Sequence, residues 1–416
     1  MRTPLGALIM VVIMFLLDYY IFIAIKTVSH SASPRTRTII TAVYWTISIL
    51  AIIGYLFFVF SNPEMISRKA RSYLFATVIA LFFAKFVAVI FFFADDIRRL
   101  LQWGATKLFF PPKETTQMED MRISRSIFLS WAGLAAGSTL FGSLMYGFTN
   151  KYNYTKKRIQ LSFENLPQSF KGLKIIHISD LHAGSITDKK AVAHGLDLIM
   201  AEKPDVIIVS GDLVNDRASE LEKYVDIFSK LNAPFGVYST MGNHDYGDYT
   251  SWPHEGISKQ QNMENFKKVN EAMGWKLLMN EHVALERGDE AIAILGVENW
   301  GAKARFPKYG DMKKATAGTE KYPFKILISH DPSHWDAEVR PQYSDIDLML
   351  SGHTHGMQFG VDIPGFQWSP VQYVYKQWKG IYEEGKQKLY VNTGFGFIGY
   401  PGRVGILPEI TVIELV

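Results

Sequence analysis

His177-Ile-Ser-Asp-Leu-His182 closes an apolar run that starts at Leu173, Leu173-Lys-Ile-Ile-His-Ile178. A run of that length and character reads as a buried strand. Residues two apart on an extended chain project to the same side, so Asp180 and His182 can reach one point at the strand's end. A carboxylate oxygen and an imidazole nitrogen meeting there are a plausible pair of metal ligands. Asp-x-His alone is a frequent accident. Its weight comes from what ends each later strand.

Four more apolar runs end in the same kinds of residue. Val206–Val209 leads to Ser-Gly-Asp212, and Gly236–Thr240 leads to Met-Gly-Asn243-His244-Asp245. Lys325–Ile328 leads to Ser-His330-Asp. Leu348–Leu350 leads to Ser-Gly-His353-Thr-His355-Gly. Further strand candidates are Ala291–Val297, Lys388–Val391 and Ile410–Leu415. Helical patterns lie between the early strands: Lys189–Glu202 behind a Thr187 or Asp188 cap, Glu220–Leu231, and Met263–Met273. Strand–helix alternation predicts an α/β fold on a parallel or mixed sheet, and ligands in such sheets bind beyond the carboxyl ends of the strands. A lone Gly-Asp is usually a turn, and a lone His330 is usually a satisfied polar residue. Five such endings in succession argue for one site.

The N-terminal third reads differently. Leu5–Ile25, Ile39–Phe60 and Tyr73–Ala94 are each about as long and apolar as a bilayer-spanning helix requires, about 20 residues. Ile127–Phe148 is a fourth such segment, rich in the small residues that let helices pack closely in lipid. Residues 1–150 are therefore expected to form a membrane domain of four transmembrane helices, and residues 151–416 a separate domain. Asp18 and Lys85 fall at similar depth in the first and third spans, and lipid favours their pairing. Ile97-Arg-Arg-Leu-Leu-Gln-Trp103, with Pro111-Pro112 beyond it, predicts a short amphipathic helix on the membrane surface. Basic residues are concentrated in the first loop (Lys26, Arg35, Arg37) and the third (Arg98, Arg99, Lys107, Lys113, Arg122, Arg125). The amino terminus has only Arg2, and the second loop has Arg68, Lys69 and Arg71. The excess marks the cytoplasmic side and puts residues 151–416 outside the cytoplasm of a multi-pass cell-membrane protein. Arg122-Ile-Ser-Arg-Ser-Ile-Phe-Leu129 resembles a twin-arginine export signal in which Ser126 replaces the second arginine.

Composition narrows the function. Hydrophobic residues make up 48% of the 416. The net charge of +4 gives no footprint for a nucleic-acid partner. With no cysteine, disulfides, thiolate metal sites and a cysteine nucleophile are excluded.

Together, Asp180-x-His182, Gly211-Asp212, Gly242-Asn243-His244-Asp245, His330 and Gly352-His353-x-His355 resemble the calcineurin-like metallophosphoesterase superfamily. Within it the chain is similar to bacterial membrane-anchored phosphoesterases, which include wall-associated enzymes and UDP-2,3-diacylglucosamine pyrophosphatases. The resemblance covers the chain from about Lys171 onward. It implies a four-layer α/β/β/α sandwich, here preceded by the transmembrane bundle, with a centre of two divalent metal ions. One ion would be held by Asp180, His182 and His355 and the other by Asn243, His330 and His353, with Asp212 bridging. Mixed histidine and carboxylate ligands suit Mn, Zn or Fe better than Ca. Two such cations about 4 Å apart can clamp a phosphoryl group and acidify a bridging water.

His244 would face the substrate and, as a cation, protonate the leaving oxygen. Many relatives carry an Asp that orients this histidine where the chain has Asn215, which leaves the orientation of His244 open. Asp245 reads as a structural partner. Arg403 and Tyr246 are candidate substrate contacts, and Tyr246–Asn262 and Phe366–Trp378 candidate aromatic rims. The implied activity is hydrolysis of a phosphoester or pyrophosphate, lipid-linked or associated with the cell envelope. The alternatives are a cytoplasm-facing UDP-2,3-diacylglucosamine pyrophosphatase of lipid A synthesis and a non-catalytic metal-binding sensor or scaffold.

Overall fold

A computed structural model of the chain describes residues 4–62, 65–109, 125–303, 306 and 308–416. The chain folds as two compact units, Met1–Tyr146 and Gly147–Val416.

The first unit is built on four helices: α1 (Pro4–Val28), α2 (Pro34–Phe60), α3 (Arg68–Phe109) and α4 (Arg125–Gly147). All four are long and apolar enough to cross a membrane. Their outer faces carry exposed Leu8, Ile9, Leu16, Ile47, Leu50 and Phe93, the surface lipid requires. Polar groups turn inward. Lys85 of α3 pairs with Asp18 of α1, Ser48 of α2 donates to Asp18 Oδ1 at 2.7 Å, and the Tyr44 hydroxyl donates to the same oxygen at 2.9 Å. The expected ion pair thus forms, with two hydroxyls completing it. α4 approaches α3 closely: a methyl group at Gly137 would fall 2.8 Å from the Ala84 carbonyl.

The predicted surface helix at Ile97–Trp103 is not a separate element. It continues α3, which runs unbroken to Phe109. Asp95 and Asp96 pair with Arg98 and Arg99 one turn on, so the polar stretch supports its own helix. Pro111-Pro112, Lys113 and residues 122–124 of the export-like segment lie outside the described residues.

In the second unit, the first sheet joins β1 (Thr155–Leu161), β2 (Lys174–Ile178), β3 (Val206–Val209), β4 (Val237–Ser239), β5 (Lys276–Leu277) and β14 (Glu409–Leu415) in the order β1-β14-β2-β3-β4-β5. The second joins β6 (Glu281–Arg287), β7 (Glu290–Gly296), β8 (Lys325–Ile328), β9 (Leu348–Ser351), β12 (Gly380–Glu384) and β13 (Gln387–Val391) in the order β12-β13-β9-β8-β7-β6. A small hairpin of β10 (Val361–Ile363) and β11 (Phe366–Trp368) stands apart from both. The central strands β2-β3-β4 and β7-β8-β9-β13 are parallel.

Strand alternation divides the core. Ile175, Val206 and Ile208 of the first sheet meet Ile292, Ile294, Ile326, Ile328, Leu348 and Leu350 of the second. The next residues along, Ile176, Ile207 and Val209, face α5 (Lys189–Met200), α6 (Ala218–Glu222), α7 (Val225–Phe228) and α8 (Lys259–Ala272). Leu295, Leu327 and Met349 pack under α9 (Met312–Thr316) and the Trp335–Val339 turn. The result is the expected α/β/β/α sandwich. Asp188 caps α5 as predicted, accepting from the Lys190 and Ala191 amides. The helix expected at Glu220–Leu231 breaks at Tyr224 into α6 and α7, because that residue adopts φ −123°.

Candidate metal centre

The motif loops gather beyond the carboxyl ends of β2, β3, β4, β8 and β9, where the parallel strands leave backbone groups to be paired. The Asp180 amide donates to Gly211 O at 3.0 Å, His182 N to Asp212 O at 3.1 Å, and Gly352 N to His330 O at 3.0 Å. The approach is tight at Gly211, where φ is +90° and a Cβ would sit 2.6 Å from the Gly242 amide. Asp180, His182, Asp212, His353 and His355 are all left-handed, with φ between 46° and 71°. Non-glycine residues rarely adopt that region, and their clustering at one site marks a backbone shaped for function.

Two groups of donor atoms converge. One is Asp180, His182 and His355, and the other is Asp212, His330 and His353. In the first, the Nε2 atoms of His182 and His355 are 3.0 Å apart, and Asp180 Oδ1 lies 3.2 Å from the latter. In the second, His330 Nδ1 bonds to Ser210 O at 2.7 Å. That bond turns Nε2 toward Asp212 Oδ2, 3.1 Å away. Asn243 Nδ2 donates to the Tyr249 hydroxyl at 3.0 Å, which turns its Oδ1 toward His353 Nδ1 at 2.9 Å. On the other side of that ring, Nε2 meets the Tyr375 hydroxyl at 2.9 Å, and that hydroxyl donates to Asp331 Oδ2 at 3.3 Å. The network therefore puts the His353 proton on Nε2 and leaves Nδ1 as an acceptor facing an acceptor. Buried lone pairs aimed at one another are costly unless a cation sits between them, so these residues fit a metal site.

Electrostatics agree. Burial opposes charge on Asp180 and Asp212, but His355 and His330 beside the one, and His330 and His244 beside the other, hold both carboxyls below the usual range. Burial also opposes charge on His330, yet Asp212 and Asp180 outweigh it and push that imidazole up to about 10. Burial brings His182 down to about 3 and lowers His353. The cleft is strongly polarised for a positive guest.

His244 donates its backbone amide to Asp212 Oδ1 at 2.9 Å, and its Nδ1 bonds to the Asn215 carbonyl at 2.7 Å. A backbone group thus orients the ring. The Asn215 side chain is engaged elsewhere, donating to Ser185 Oγ at 2.9 Å. Asp245 accepts from the amides of Asp212, Leu213, Val214 and Gly242, and so ties two motif loops together. Burial and the Asp212 charge push Asp245 up to about 8.

Two expected substrate contacts are placed elsewhere. Arg403 is fully buried. It donates to the carbonyls of Thr393, Gly394 and Gly396 and reaches His355 Nδ1 at 3.4 Å, so it backs that histidine and does not face solvent. Tyr246 turns away. Its hydroxyl accepts from Asn299 N at 3.0 Å, and its ring packs 4.3 Å from that of Tyr309. The aromatic groups at the cleft are Tyr249, 4.7 Å from the His244 ring, and Phe306 and Tyr375, 4.7 and 5.3 Å from His353. Asp331 directly follows His330 in sequence and could have been read as its neighbour. No sequence signal marks Phe306.

Residues 173–357 match the family described as "Calcineurin-like phosphoesterase", and residues 1–151 match "Probable Calcineurin-like phosphoesterase, transmembrane domain". Over 279 residues the chain is 30% identical to "Transmembrane protein with metallophosphoesterase domain" of Danio rerio, an alignment covering 65% of this chain and 60% of that protein. It is 29% identical to "Uncharacterized metallophosphoesterase YkuE" of Bacillus subtilis, covering 71% and 98%. It is 26% identical to "Phosphodiesterase YaeI" of Escherichia coli, covering 71% and 100%. The strand-end motifs, the two-sheet sandwich and these matches agree: the chain carries a calcineurin-like phosphoesterase domain behind an N-terminal transmembrane domain.

Proposed function

We propose that the protein is a membrane-anchored phosphoesterase that uses two divalent cations to hydrolyse a phosphoester or pyrophosphate, carried by a lipid or another envelope component. The observation that carries this reading is the pair of converging donor sets, with an acceptor facing an acceptor where His353 Nδ1 meets Asn243 Oδ1. Asp180, His182 and His355 would hold one cation. Asn243, His330 and His353 would hold the other, and Asp212 would serve both. The imidazole-rich donor set favours Mn, Zn or Fe. When bound, such a pair supplies positive charge to the phosphoryl oxygens and acidifies water.

The chain's own groups do the rest. The Asn215 carbonyl holds His244 Nδ1–H, so Nε2 faces the cleft. As water loses a proton to solvent and its oxygen attacks phosphorus, the ester P–O bond breaks and protonated Nε2 gives its proton to the departing oxygen, to be reprotonated from solvent. Tyr249 and Phe306 wall the approach. Arg403 and Asp245 act as positioning residues, fixing His355 and the Asp212 loop. Residues 1–150 serve as the membrane domain and 151–416 as the hydrolase. The basic first and third loops support an extracytoplasmic hydrolase.

Protein solubilised in detergent should hydrolyse bis(p-nitrophenyl) phosphate with added Mn2+, and Asp212→Asn should remove that activity. Equal rates in the wild type and Asp212→Asn, or no metal-stimulated hydrolysis of any phosphoester in a lipid, sugar-nucleotide and nucleotide panel, would overturn the proposal. A periplasm-dependent reporter joined at Val416 should be active. A reporter active only in the cytoplasm would invert the orientation.

A further inference from the structure

Tyr249 stands at the cleft with the donor side of its hydroxyl unengaged. The residue is 51% exposed, and its ring lies 4.7 Å from that of His244. Its oxygen accepts from Asn243 Nδ2 at 3.0 Å. Among the described residues, no group accepts the hydroxyl's own hydrogen. A phenol both accepts and donates, so one donor remains for a guest.

Two nearby tyrosines set the contrast. The Tyr375 hydroxyl bonds to His353 Nε2 at 2.9 Å and donates to Asp331 Oδ2 at 3.3 Å. The Tyr246 hydroxyl accepts from Asn299 N at 3.0 Å and donates to Glu298 Oε1 at 3.3 Å. Both residues are buried, and protein groups take up both sides of each hydroxyl. A bond left unmade in the interior is costly, so structural tyrosines are completed in this way. Of the three, Tyr249 is the one left incomplete, and it is the one that meets solvent.

The loop that carries Tyr249 is nevertheless pinned. On one side of it, Asp248 accepts from the Tyr309 hydroxyl at 3.0 Å and pairs with Lys259 of α8. The carbonyl of Gly247 accepts from Trp252 Nε1 at 2.8 Å. Tyr309 also packs on Tyr246, so one ring steadies both ends of the turn. A side chain exposed on a backbone held this firmly is preorganised, and little ordering remains when it meets a ligand. Its hydroxyl touches Asn243 and its ring touches His244. An ester placed to use both of those residues therefore lies against Tyr249 as well.

We propose that Tyr249 donates its free hydroxyl hydrogen to a nonbridging oxygen of the bound phosphoryl group and stabilises the negative charge that grows there as water attacks. The inference rests on the hydrolytic reading, in which Asn243 Oδ1 faces a cation and Nδ2 is left to Tyr249. No proton is transferred. His244 serves the oxygen that departs, and Tyr249 serves an oxygen that stays.

Tyr249→Phe removes only the hydroxyl. Full-length wild type and variant, loaded with Mn2+ in detergent, would be compared on methyl aryl phosphodiesters whose phenols differ in acidity, with bound metal measured on the same preparations. The variant should keep the wild-type metal content. Its kcat/KM should fall about 10–100-fold, the size of one hydrogen bond to a charged oxygen, and by the same factor for every phenol. Unchanged rates would overturn the inference. So would a loss of metal, which would confine the hydroxyl to holding Asn243, or a loss that grows with phenol basicity, which would make the ring act through His244. A wild type that hydrolyses none of the esters would fail the hydrolytic reading and this inference with it, whereas an active wild type matched by Tyr249→Phe fails this inference alone.

Discussion

The Nε2 atoms of His182 and His355 lie 3.0 Å apart, at the ends of motifs 173 residues distant in sequence. Two ring nitrogens that close share either a proton or a cation, and Asp180 Oδ1 beside them favours the larger charge. His355→Ala should therefore halve the bound metal and lower Mn2+-stimulated hydrolysis at least about 100-fold, since even outer groups around metal ligands are worth about 10–100-fold. Elemental analysis and phosphodiesterase rates on the same preparation check it.

His244 makes no bond inside either donor set except through its backbone amide to Asp212. His244→Ala should keep the full metal content and lose about 10²–10⁴ in kcat. The loss should be greater for an ester with a basic alkoxide leaving group than for p-nitrophenolate, which departs without a proton. Equal losses on both esters would remove the proton-donor role.

Because the Asn215 carbonyl orients His244, the Asn215 side chain is free of that duty. Asn215→Ala should change kcat by less than about tenfold, below the cost of removing a group that orients a site histidine. A loss as large as that of His244→Ala would show that the side chain does the orienting.

Arg403 is buried among the carbonyls of Thr393, Gly394 and Gly396, of which Gly394 O also accepts from Glu409 N. Arg403→Met takes the guanidinium donor from the Thr393 and Gly396 carbonyls, and each unsatisfied group costs about 1–3 kcal/mol. Thermal unfolding of the second unit should shift down by several degrees, with KM little changed. A large rise in KM at unchanged stability would instead place Arg403 at the substrate.

In the membrane unit, Lys85→Met strands the Asp18 carboxylate between Ser48 and Tyr44. Breaking a buried pair costs about 3–5 kcal/mol, whereas replacing both partners with apolar residues can be neutral. Lys85→Met should lose stability in detergent, and Asp18→Leu/Lys85→Met should regain most of it. A double variant as unstable as the single would show that the pair does not act as a unit.

The sequence announced what is local. A donor side chain placed one to four residues past an apolar run sits at a strand end, so the convergence of Asp180, Asp212, Asn243, His330 and His353 was legible from spacing. The ion pair of Asp18 and Lys85 was legible because lipid leaves so few ways to accommodate a charge. What escaped depends on surroundings. β1, β6 and β12 are edge strands whose many charged residues face solvent, so they lack an apolar run. Tyr246 and Tyr249 are three residues apart in one loop, and only the folded turn sends the first toward Tyr309 and the second over His244. Arg403 reads as a phosphate contact by its charge, but its burial depends on a cage of carbonyls that no motif marks.

Anomalous diffraction from crystals grown with Mn2+ tests the central claim most directly. Two peaks are expected in the second unit, one among Asp180, His182 and His355 and one among Asn243, His330 and His353, with Asp212 between them. A map with no peak within bonding distance of these side chains would contradict it.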